Sequence, residues 1–343
     1  MAAARISEVW GSVLGVAQAG FRRRRGRIRK EVSRHRPRQR SGPAVGKDEL
    51  IPNTASSSRR PPVLMVVHAH PDDEASQTGG TLARYAAAGW RTVLITCTDG
   101  GQGDGPDGVK PGDPHHDPRQ VAALRSRELD LAAAALGVHD LVKLGYPDSG
   151  IPDGNAIPPR ADVFSRRPLA PMVTRLVRLL RHYQPDVVVT YPSNGLSGHP
   201  DHIRTHELVR AALRTIAAEP AGQGLSTRTV IKLYYIAMSK SRLRAVRAGA
   251  RAAFGEDAWM PPEEMAIDDS EITTVIDVAP YSDNKVRALS AHASQSDATA
   301  VLQMLCAADT LADFGERVEE YVRAEGYTGF VEDGFARTGG KPL

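Results

Sequence analysis

Along this chain, short runs of consecutive apolar residues alternate with longer stretches in which apolar and polar residues mix. A run such as residues 63–67 is typical of a strand that is buried on both faces of a parallel sheet. From these runs we predict strands near residues 63–68, 91–97, 140–144, 186–191, 230–236 and 272–278. The stretches between the runs fit helices near residues 76–88, 119–136, 168–183, 200–218 and 280–293.

Strands that alternate with helices predict an α/β fold, with a Rossmann-like, mostly parallel sheet and helices on both of its faces. In such a sheet, the active site forms at the carboxyl-terminal ends of the strands. Gly89 and Gly137 lie where helix C-caps are expected. Residues 98–118 and 145–167 form long loops rich in Gly and Pro after strands, and loops in that position tend to build substrate pockets.

Charge divides the chain into parts. Residues 1–60 contain 15 Lys/Arg and 4 Asp/Glu, so they carry +11 and the remaining residues carry −7, although the whole chain carries +4. Because blocks of like charge repel themselves, we predict that residues 1–60 form a basic, disordered tail and linker. We expect the folded domain to span residues 61–300. Residues 301–343 would then form a C-terminal extension that packs on this domain or is partly disordered.

These charges bear on partners and location. An acidic folded domain predicts no nucleic-acid partner for that domain. The basic tail leaves open a weak contact with a membrane surface, a nucleic-acid anchor or a dispensable leader. No apolar run approaches the roughly 20 residues that span a membrane, and no compact apolar segment follows the arginines as it would in a signal peptide. The two cysteines, Cys97 and Cys306, make no disulfide framework, which fits a cytoplasmic protein.

A histidine and two adjacent aspartates, His70, Asp72 and Asp73, follow the first predicted strand. Pro71 favours an extended His70, so the imidazole projects from the end of the strand. A catalytic zinc needs nitrogen or oxygen ligands and one open position. His70 and one aspartate can supply two ligands, while the other aspartate handles a proton. The simpler alternative is that an aspartate caps a helix and that His70 is packed in the core.

A second group of histidines, in the segment 198–202, can complete the site. Pro200 suits the first position of a helix, which makes His199 the cap and His202 a first-turn residue. Because a cap residue is splayed away from the helix face, the two imidazoles can take different roles. His206, one turn further along, is a rival ligand, although packing is the simpler interpretation.

Several segments together resemble the LmbE/PIG-L family of zinc-dependent N-deacetylases, which has A-H-P-D-D and H-P-D-H motifs at the two places described above. The resemblance runs in the family's order from about residue 63 to about residue 295. Further matching segments are Thr98-Asp99-Gly100, Arg125-Ser126-Arg127-Glu128, Leu144-Gly145-Tyr146-Pro147-Asp148-Ser149-Gly150 and His292-Ala293-Ser294-Gln295. Several motifs in order are much more specific than any one of them.

The resemblance implies a role for each position in the two histidine motifs. It makes His70, Asp73 and His202 the metal ligands and Asp72 the general base. It makes His199 a donor to the developing oxyanion or to the leaving amine, a role that favours a protonated ring.

Positions outside these motifs are implied to face the substrate. Arg125 and Asp148 correspond to residues that hold the sugar in family members, with a solvated helix face and a turn residue as the simpler alternatives. The roles of His292 and Gln295 stay open between pocket and packing. Ser197 departs from the branch that deacetylates the amino-sugar–inositol precursor of mycothiol, which has a tyrosine there. A serine reaches less far than a phenol, so we expect different substrate contacts on that side.

The function that the resemblance implies is that of a cytoplasmic hydrolase. It would remove the N-acetyl group from an N-acetylglucosamine-type conjugate by attack of a metal-bound water on the amide. The expected cofactor is Zn2+, although two histidines and one aspartate also suit Fe2+. The expected partner is a small-molecule amino-sugar conjugate. Two alternatives are an amidase that cleaves a larger acyl group from a thiol-sugar (mycothiol-type) conjugate and a binding module whose metal is structural.

Overall fold

The computed structural model describes residues 60–151, 161–218, 231–255, 260–308 and 318–324. Nearly all of the predicted basic tail and the last part of the predicted C-terminal extension, residues 325–343, lie outside the described residues. In the part of the chain that is described, none of the helices combines the length and the apolar character that crossing a membrane requires.

Seven strands of the described residues form one sheet. They are β1 Val63–His68, β2 Arg91–Thr98, β3 Asp140–Tyr146, β4 Val187–Thr190, β5 Lys232–Ala237, β6 Thr274–Asp277 and β7 Val318–Arg323. Their order across the sheet is β3-β2-β1-β4-β5-β7-β6. Strands β1 to β5 pair in parallel, whereas β7 runs antiparallel to both β5 and β6. The prediction of a mostly parallel sheet is therefore confirmed.

Helices cover the sheet. Those described are α1 Asp73–Gln77, α2 Gly79–Ala87, α3 Pro118–Ala135, α4 Leu169–Tyr183, α5 Pro200–Ala217, α6 Lys240–Phe254, α7 Ser282–Ala291 and α8 Ser296–Ala308. Alternate residues of β1 belong to two different apolar clusters, Leu64 and Val66 to one, Met65 and Val67 to the other. Because both faces of β1 are buried in this way, the strand is apolar at consecutive positions.

The predicted elements agree with the structure, apart from three that the sequence patterns did not reveal. All six predicted strands and all five predicted helices are present, although Thr78 divides the helix predicted near 76–88 into α1 and α2. The elements that were not predicted are α6, α8 and β7. Strand β7 contains two adjacent buried glutamates, Glu319 and Glu320, so it lacks the continuous apolar run that predicted the other strands. Since β7 lies between β5 and β6, the boundary predicted at residue 300 separates strands of one sheet.

The strand order creates a crevice beside β1. The chain continues from β1 to β2 on one side, and the later strand β4 pairs with β1 on the other side. Connections that leave neighbouring parallel strands in opposite directions open a crevice at their carboxyl-terminal ends, where open α/β sheets bind ligands. Both histidine motifs follow these two strands, so the fold brings them to the same crevice.

A buried ion pair joins β7 to the helices on one side of the sheet. Lys285 Nζ lies 3.0 Å from Oε1 of Glu319, and the two side chains are 1% and 2% exposed. The same carboxylate accepts the backbone N–H groups of Gly80 and Thr81 at the beginning of α2, at 3.0 and 2.8 Å. Burial raises the pKa of Glu319, but Lys285 and Thr81 outweigh burial and hold the pKa below its ordinary value.

We predict that Glu319→Gln lowers the free energy of unfolding by about 3–5 kcal/mol, because it removes the carboxylate charge that pairs with the buried Lys285 ammonium group. Since the folded pKa of Glu319 is depressed, its stabilisation is complete above the ordinary pKa of 4.5 and is lost as the pH falls toward the folded value. Urea unfolding at several pH values measures both effects.

The matched control is Glu263→Gln, which removes an ion pair with Arg247 from a side chain that is 78% exposed. It should leave the free energy of unfolding nearly unchanged. Equal effects of the two substitutions would contradict the assignment of Glu319 as a stabilising buried anion.

Candidate active site

The two histidine motifs meet at the carboxyl-terminal ends of β1 and β4. His70 lies two residues beyond β1, and a turn of residues 191–198 leads from β4 to α5. This turn lies against the first turn of α5. Gly195 has a φ of +70°, and a Cβ atom at Gly195 would lie 2.9 Å from Cβ of His202. Glycine is therefore required where the turn approaches the helix.

Three side chains from the two motifs converge on one point. Nδ1 of His70 lies 3.2 Å from Nε2 of His202. Asp73 places Oδ2 at 3.4 Å from Nδ1 of His70 and Oδ1 at 3.5 Å from Nε2 of His202. Donors on a tetrahedral zinc, with bonds of about 2.0–2.2 Å, are separated by about 3.3–3.6 Å. The structure thus brings the three predicted ligand residues together, with each Asp73 oxygen next to a different imidazole.

The hydrogen bonds behind the two rings fix where each ring carries its proton. Nδ1 of His202 lies 3.0 Å from the carbonyl oxygen of Gly195, which can only accept, so the ring donates from Nδ1 and has a lone pair at Nε2. Nε2 of His70 lies 3.3 Å from Oδ2 of Asp201, so His70 donates from Nε2 and turns Nδ1 toward the common point. Two ring nitrogens and the Asp73 carboxylate therefore face a common position where a cation can bind.

Burial and neighbouring charges set the ionisation of the donors. Burial raises the pKa of Asp73, but His202 and His70 outweigh burial and hold the pKa well below its ordinary value. Burial lowers the pKa of His70, but Asp148, Asp201 and Asp73 outweigh it and hold the pKa well above the ordinary value. A metal ion at this point therefore competes with a proton on Nδ1 of His70, so we expect acid to weaken metal binding.

A second set of donors lies on the opposite edge of His70. Distances alone allow His70, Asp148 and Asp201 to hold a metal. However, Asp201 already accepts hydrogen bonds from the backbone N–H (2.9 Å) and the hydroxyl of Ser149, and Asp148 accepts the backbone N–H of Gly150 at 2.9 Å. Because both aspartates contact Nε2 of His70, on the ring edge opposite Nδ1, we interpret them as acceptors that orient the His70 ring.

Asp72 lies beside the converging donors and is held by Arg125. Nη2 of Arg125 donates to Oδ2 of Asp72 at 2.8 Å, and the Asp72 side chain is 19% exposed. Burial raises the pKa of Asp72 to about 7, with Arg125 opposing and Asp73 adding to the rise. A carboxyl group with this pKa can gain and lose a proton near neutral pH, as a general base requires.

His199 is the N-cap of α5, as predicted, and its Nδ1 accepts the backbone N–H of Asp201 at 3.1 Å. The neutral ring therefore carries its proton on Nε2. The ring centroid lies 4.6 Å from that of His70, and His70, His199 and His202 are also close enough to share a metal. Burial, His70 and His202 lower the pKa of His199 to about 2. The protonated ring favoured from sequence is thus replaced by a neutral N–H donor.

Arg125 and Asp148, which were predicted to contact a sugar, are both engaged with the protein. Arg125 is 5% exposed and donates from Nη1 to the carbonyl of Gly100 at 2.8 Å and from Nη2 to the carbonyl of Pro71. Burial raises the pKa of Asp148, but His70 and Arg125 outweigh it and hold the pKa below its ordinary value. In this structure Arg125 fixes the loops around Asp72, and contact of either residue with a sugar stays a prediction.

Sequence reasoning assigned no role to Tyr191, which contacts His202 and the two residues before His70. Its ring stacks on His202 with centroids 4.2 Å apart, and its hydroxyl accepts the N–H of Ala69 at 3.0 Å and lies 3.1 Å from Nδ1 of His68. The available signal was its place at the end of a predicted strand whose neighbour carries His70. His206 places Nδ1 2.9 Å from the carbonyl of Tyr191, which supports packing over ligation.

Comparison with known proteins relates the chain to one family. Residues 65–213 match PIG-L, described as GlcNAc-PI de-N-acetylase. A Rhodococcus erythropolis protein named 1D-myo-inositol 2-acetamido-2-deoxy-alpha-D-glucopyranoside deacetylase is 38% identical over 295 residues, covering 83% of this chain and 97% of that protein. A protein of the same name from Thermobispora bispora is 39% identical over 243 residues, covering 68% of this chain and 78% of that protein.

A solved structure shares the fold. The crystal structure of GalB, the 4-carboxy-2-hydroxymuconate hydratase from Pseudomonas putida KT2440, matches with a TM-score of 0.52 and covers 79% of this chain and 99% of that chain. The two sequences are 17% identical, so this likeness concerns the fold alone.

We predict that His202→Ala lowers the amount of bound divalent metal, because it removes one of the three converging donors. Metal content after dialysis against a weak chelator, together with a circular dichroism spectrum to verify folding, measures the effect. His206→Ala is the matched control, since His206 lies one helical turn away and faces a backbone carbonyl. Equal metal retention in the two variants would exclude His202 as a ligand.

Proposed function

Because the chain belongs to the PIG-L family of de-N-acetylases, we propose that it is a hydrolase that removes the N-acetyl group from an N-acetylglucosamine-type conjugate. The relatives described above are named for an N-acetylglucosamine joined to inositol, and we propose the same class of substrate here. The convergence of His70, Asp73 and His202 beside Asp72 carries the proposal. A three-donor site next to a carboxylate is what metal-dependent hydrolysis of an amide needs.

We propose that His70, Asp73 and His202 hold a divalent metal, Zn2+ or, from the same donor chemistry, Fe2+. When bound, such a metal supplies a Lewis acid for the amide carbonyl and lowers the pKa of water. Both imidazoles are held in place by acceptors of the chain. The Gly195 carbonyl accepts from Nδ1 of His202, and the Asp201 carboxylate accepts from Nε2 of His70. These contacts fix the tautomers that ligation requires.

Asp72 acts as the general base. Because Oδ2 accepts the hydrogen bond of Arg125, Oδ1 is the oxygen that takes a proton from the attacking water. The same carboxyl group can then pass this proton to the leaving amine. The elevated pKa of Asp72, about 7, suits both transfers, since the group must be a base in one step and an acid in the next.

His199 acts as a neutral hydrogen-bond donor. Its Nδ1 is occupied by the N–H of Asp201, so Nε2–H is the group that can be directed at the carbonyl oxygen as negative charge develops there. A neutral donor needs no proton uptake before the reaction, and its pKa of about 2 keeps it neutral across the physiological range.

The alternatives are less well supported. A larger acyl group on a thiol-sugar conjugate is not favoured, because the relatives are named for removal of an acetyl group from an amino sugar. Ser197 is exposed in the turn before α5, and we propose that contacts with the inositol side of the substrate differ there from those of a tyrosine. A cytoplasmic location and a weak membrane contact of the basic tail stay predictions from the sequence.

We predict that Asp72→Asn keeps the metal but lowers kcat by about 10²–10⁴-fold, because an amide cannot accept the proton. Release of free amine, measured together with metal content, tests this prediction. Asp130→Asn, at an exposed position paired with Lys143, is the control and should retain full activity. A binding module with a structural metal would show no turnover to lose, in either the parent or the variant.

We predict that kcat/KM is highest for N-acetylglucosamine linked to inositol, lower for free N-acetylglucosamine and lowest for a cysteinyl amide of a thiol-sugar conjugate. The physical reason is that binding of the inositol part contributes to stabilisation of the transition state. Amine release from the three compounds under identical metal loading provides the comparison. A preference for the thiol-sugar conjugate would replace the deacetylase proposal by the amidase alternative.

A further inference from the structure

Glu74 and His292 form a buried pair that none of the roles above uses. Nε2 of His292 lies 2.6 Å from Oε1 of Glu74, and both side chains are fully buried. The other oxygen of the same carboxylate, Oε2, accepts the backbone N–H of Asp72 at 3.0 Å. The pair therefore contacts the backbone of Asp72, the proposed base. Its two members are 218 positions apart along the chain.

The backbone of Asp72 is in a conformation that needs support. Its φ of 114° and ψ of −26° lie in the left-handed region, which residues with a Cβ rarely adopt. Such strained residues persist when the surrounding contacts determine them. The carbonyl of Asp72 accepts the N–H groups of Ala75 and Ser76 at 3.1 Å, Arg125 holds the side chain, and Glu74 holds the N–H.

We propose that Glu74 and His292 are positioning residues that hold the backbone of Asp72 so that its carboxylate faces the converging donors. The inference rests on the proposed function, because it assigns the pair to the base of that reaction. A buried carboxylate needs a positive or hydrogen-bonding partner. We therefore expect that, without His292, the Glu74 side chain no longer stays buried against the N–H of Asp72.

The surroundings of His292 support this assignment. Burial lowers its pKa, but Glu74 outweighs burial and raises the pKa above the ordinary value, so the contact is that of an ion pair. In the part of the chain described, Nδ1 of His292 has no hydrogen-bond partner, and the ring's polar contact is directed at Glu74. His292 is the C-cap of α7, so its ring is placed by a helix that packs on α1, α2 and α3.

The loop that follows His292 is anchored separately. Ser294 donates from its N–H and its hydroxyl to the two oxygens of Glu128, at 3.0 and 2.7 Å. Gln295 exchanges two hydrogen bonds with the backbone of Asp104, at 3.0 and 3.1 Å. Because these contacts hold the loop without His292, replacing the imidazole should loosen Asp72 and leave the loop in place.

The test is His292→Gln and Glu74→Gln, each also combined with Asp72→Asn. In the parent background we expect each substitution to lower kcat by about 10–100-fold, with KM changed less than about twofold and metal content unchanged. In the Asp72→Asn background, His292→Gln should change the residual rate less than about twofold, because the pair acts through Asp72. An equal loss of rate in both backgrounds would overturn the proposal.

Hydrogen exchange of the peptide that contains residues 69–76 supplies a readout that does not depend on turnover. We expect His292→Gln to speed exchange in this peptide while peptides from β1 and β4 keep their protection. Glu319→Gln is the matched control, because it breaks a buried pair of the same kind whose hydrogen bonds go to the beginning of α2. If exchange at 69–76 is no faster in His292→Gln than in Glu319→Gln, the positioning role is refuted.

These readouts separate the two hypotheses. Absence of amine release by the metal-loaded parent protein would refute the proposed function, whereas the exchange experiment would still decide whether the pair holds Asp72. Turnover by the parent with full activity in His292→Gln would leave the deacetylase in place and refute the pair alone.

Discussion

The site depends on one electrostatic constraint: two imidazole nitrogens and a carboxylate face the same point at separations of 3.2–3.5 Å. His70, Asp73 and His202 are each less than a tenth exposed, so water cannot screen them. A cation at that point, with an acceptor behind each ring, would contact all three groups at once. The fold meets the constraint by pairing β1 with β4, which places the two histidine motifs on neighbouring strand ends.

Around this centre, burial and neighbouring charges set what each ionisable group can do. Asp73 stays ionised because His202 and His70 outweigh its burial, whereas burial raises the pKa of Asp72 to about 7. Two adjacent carboxylates thus take different roles from their surroundings alone. His199 remains neutral because burial and two neighbouring rings disfavour a second positive charge. A carboxyl base and a neutral donor beside the donor cluster form the arrangement that amide hydrolysis uses.

Arg125 shows how the structure changes an interpretation drawn from a motif. Its match to a sugar-binding position predicts contact with substrate, but its guanidinium donates to Asp72 and to two backbone carbonyls at the strand ends. The residue therefore links the pocket wall to the base. Substitution of Arg125 would alter the pKa and the placement of Asp72 together with any substrate contact, so its effects on activity would combine several causes.

The sequence by itself determined the parts of this protein that depend on neighbours along the chain. Continuous apolar runs predicted the parallel strands, and two histidine motifs, one at a strand end and one at a helix first turn, predicted a metal-binding cluster. The resemblance to the LmbE/PIG-L family implied which residues of these motifs are the ligands. Only the tertiary structure decided which groups surround those donors. The contact between Glu74 and His292 and the insertion of β7 between β5 and β6 join distant segments, and such contacts leave no local periodicity in a sequence.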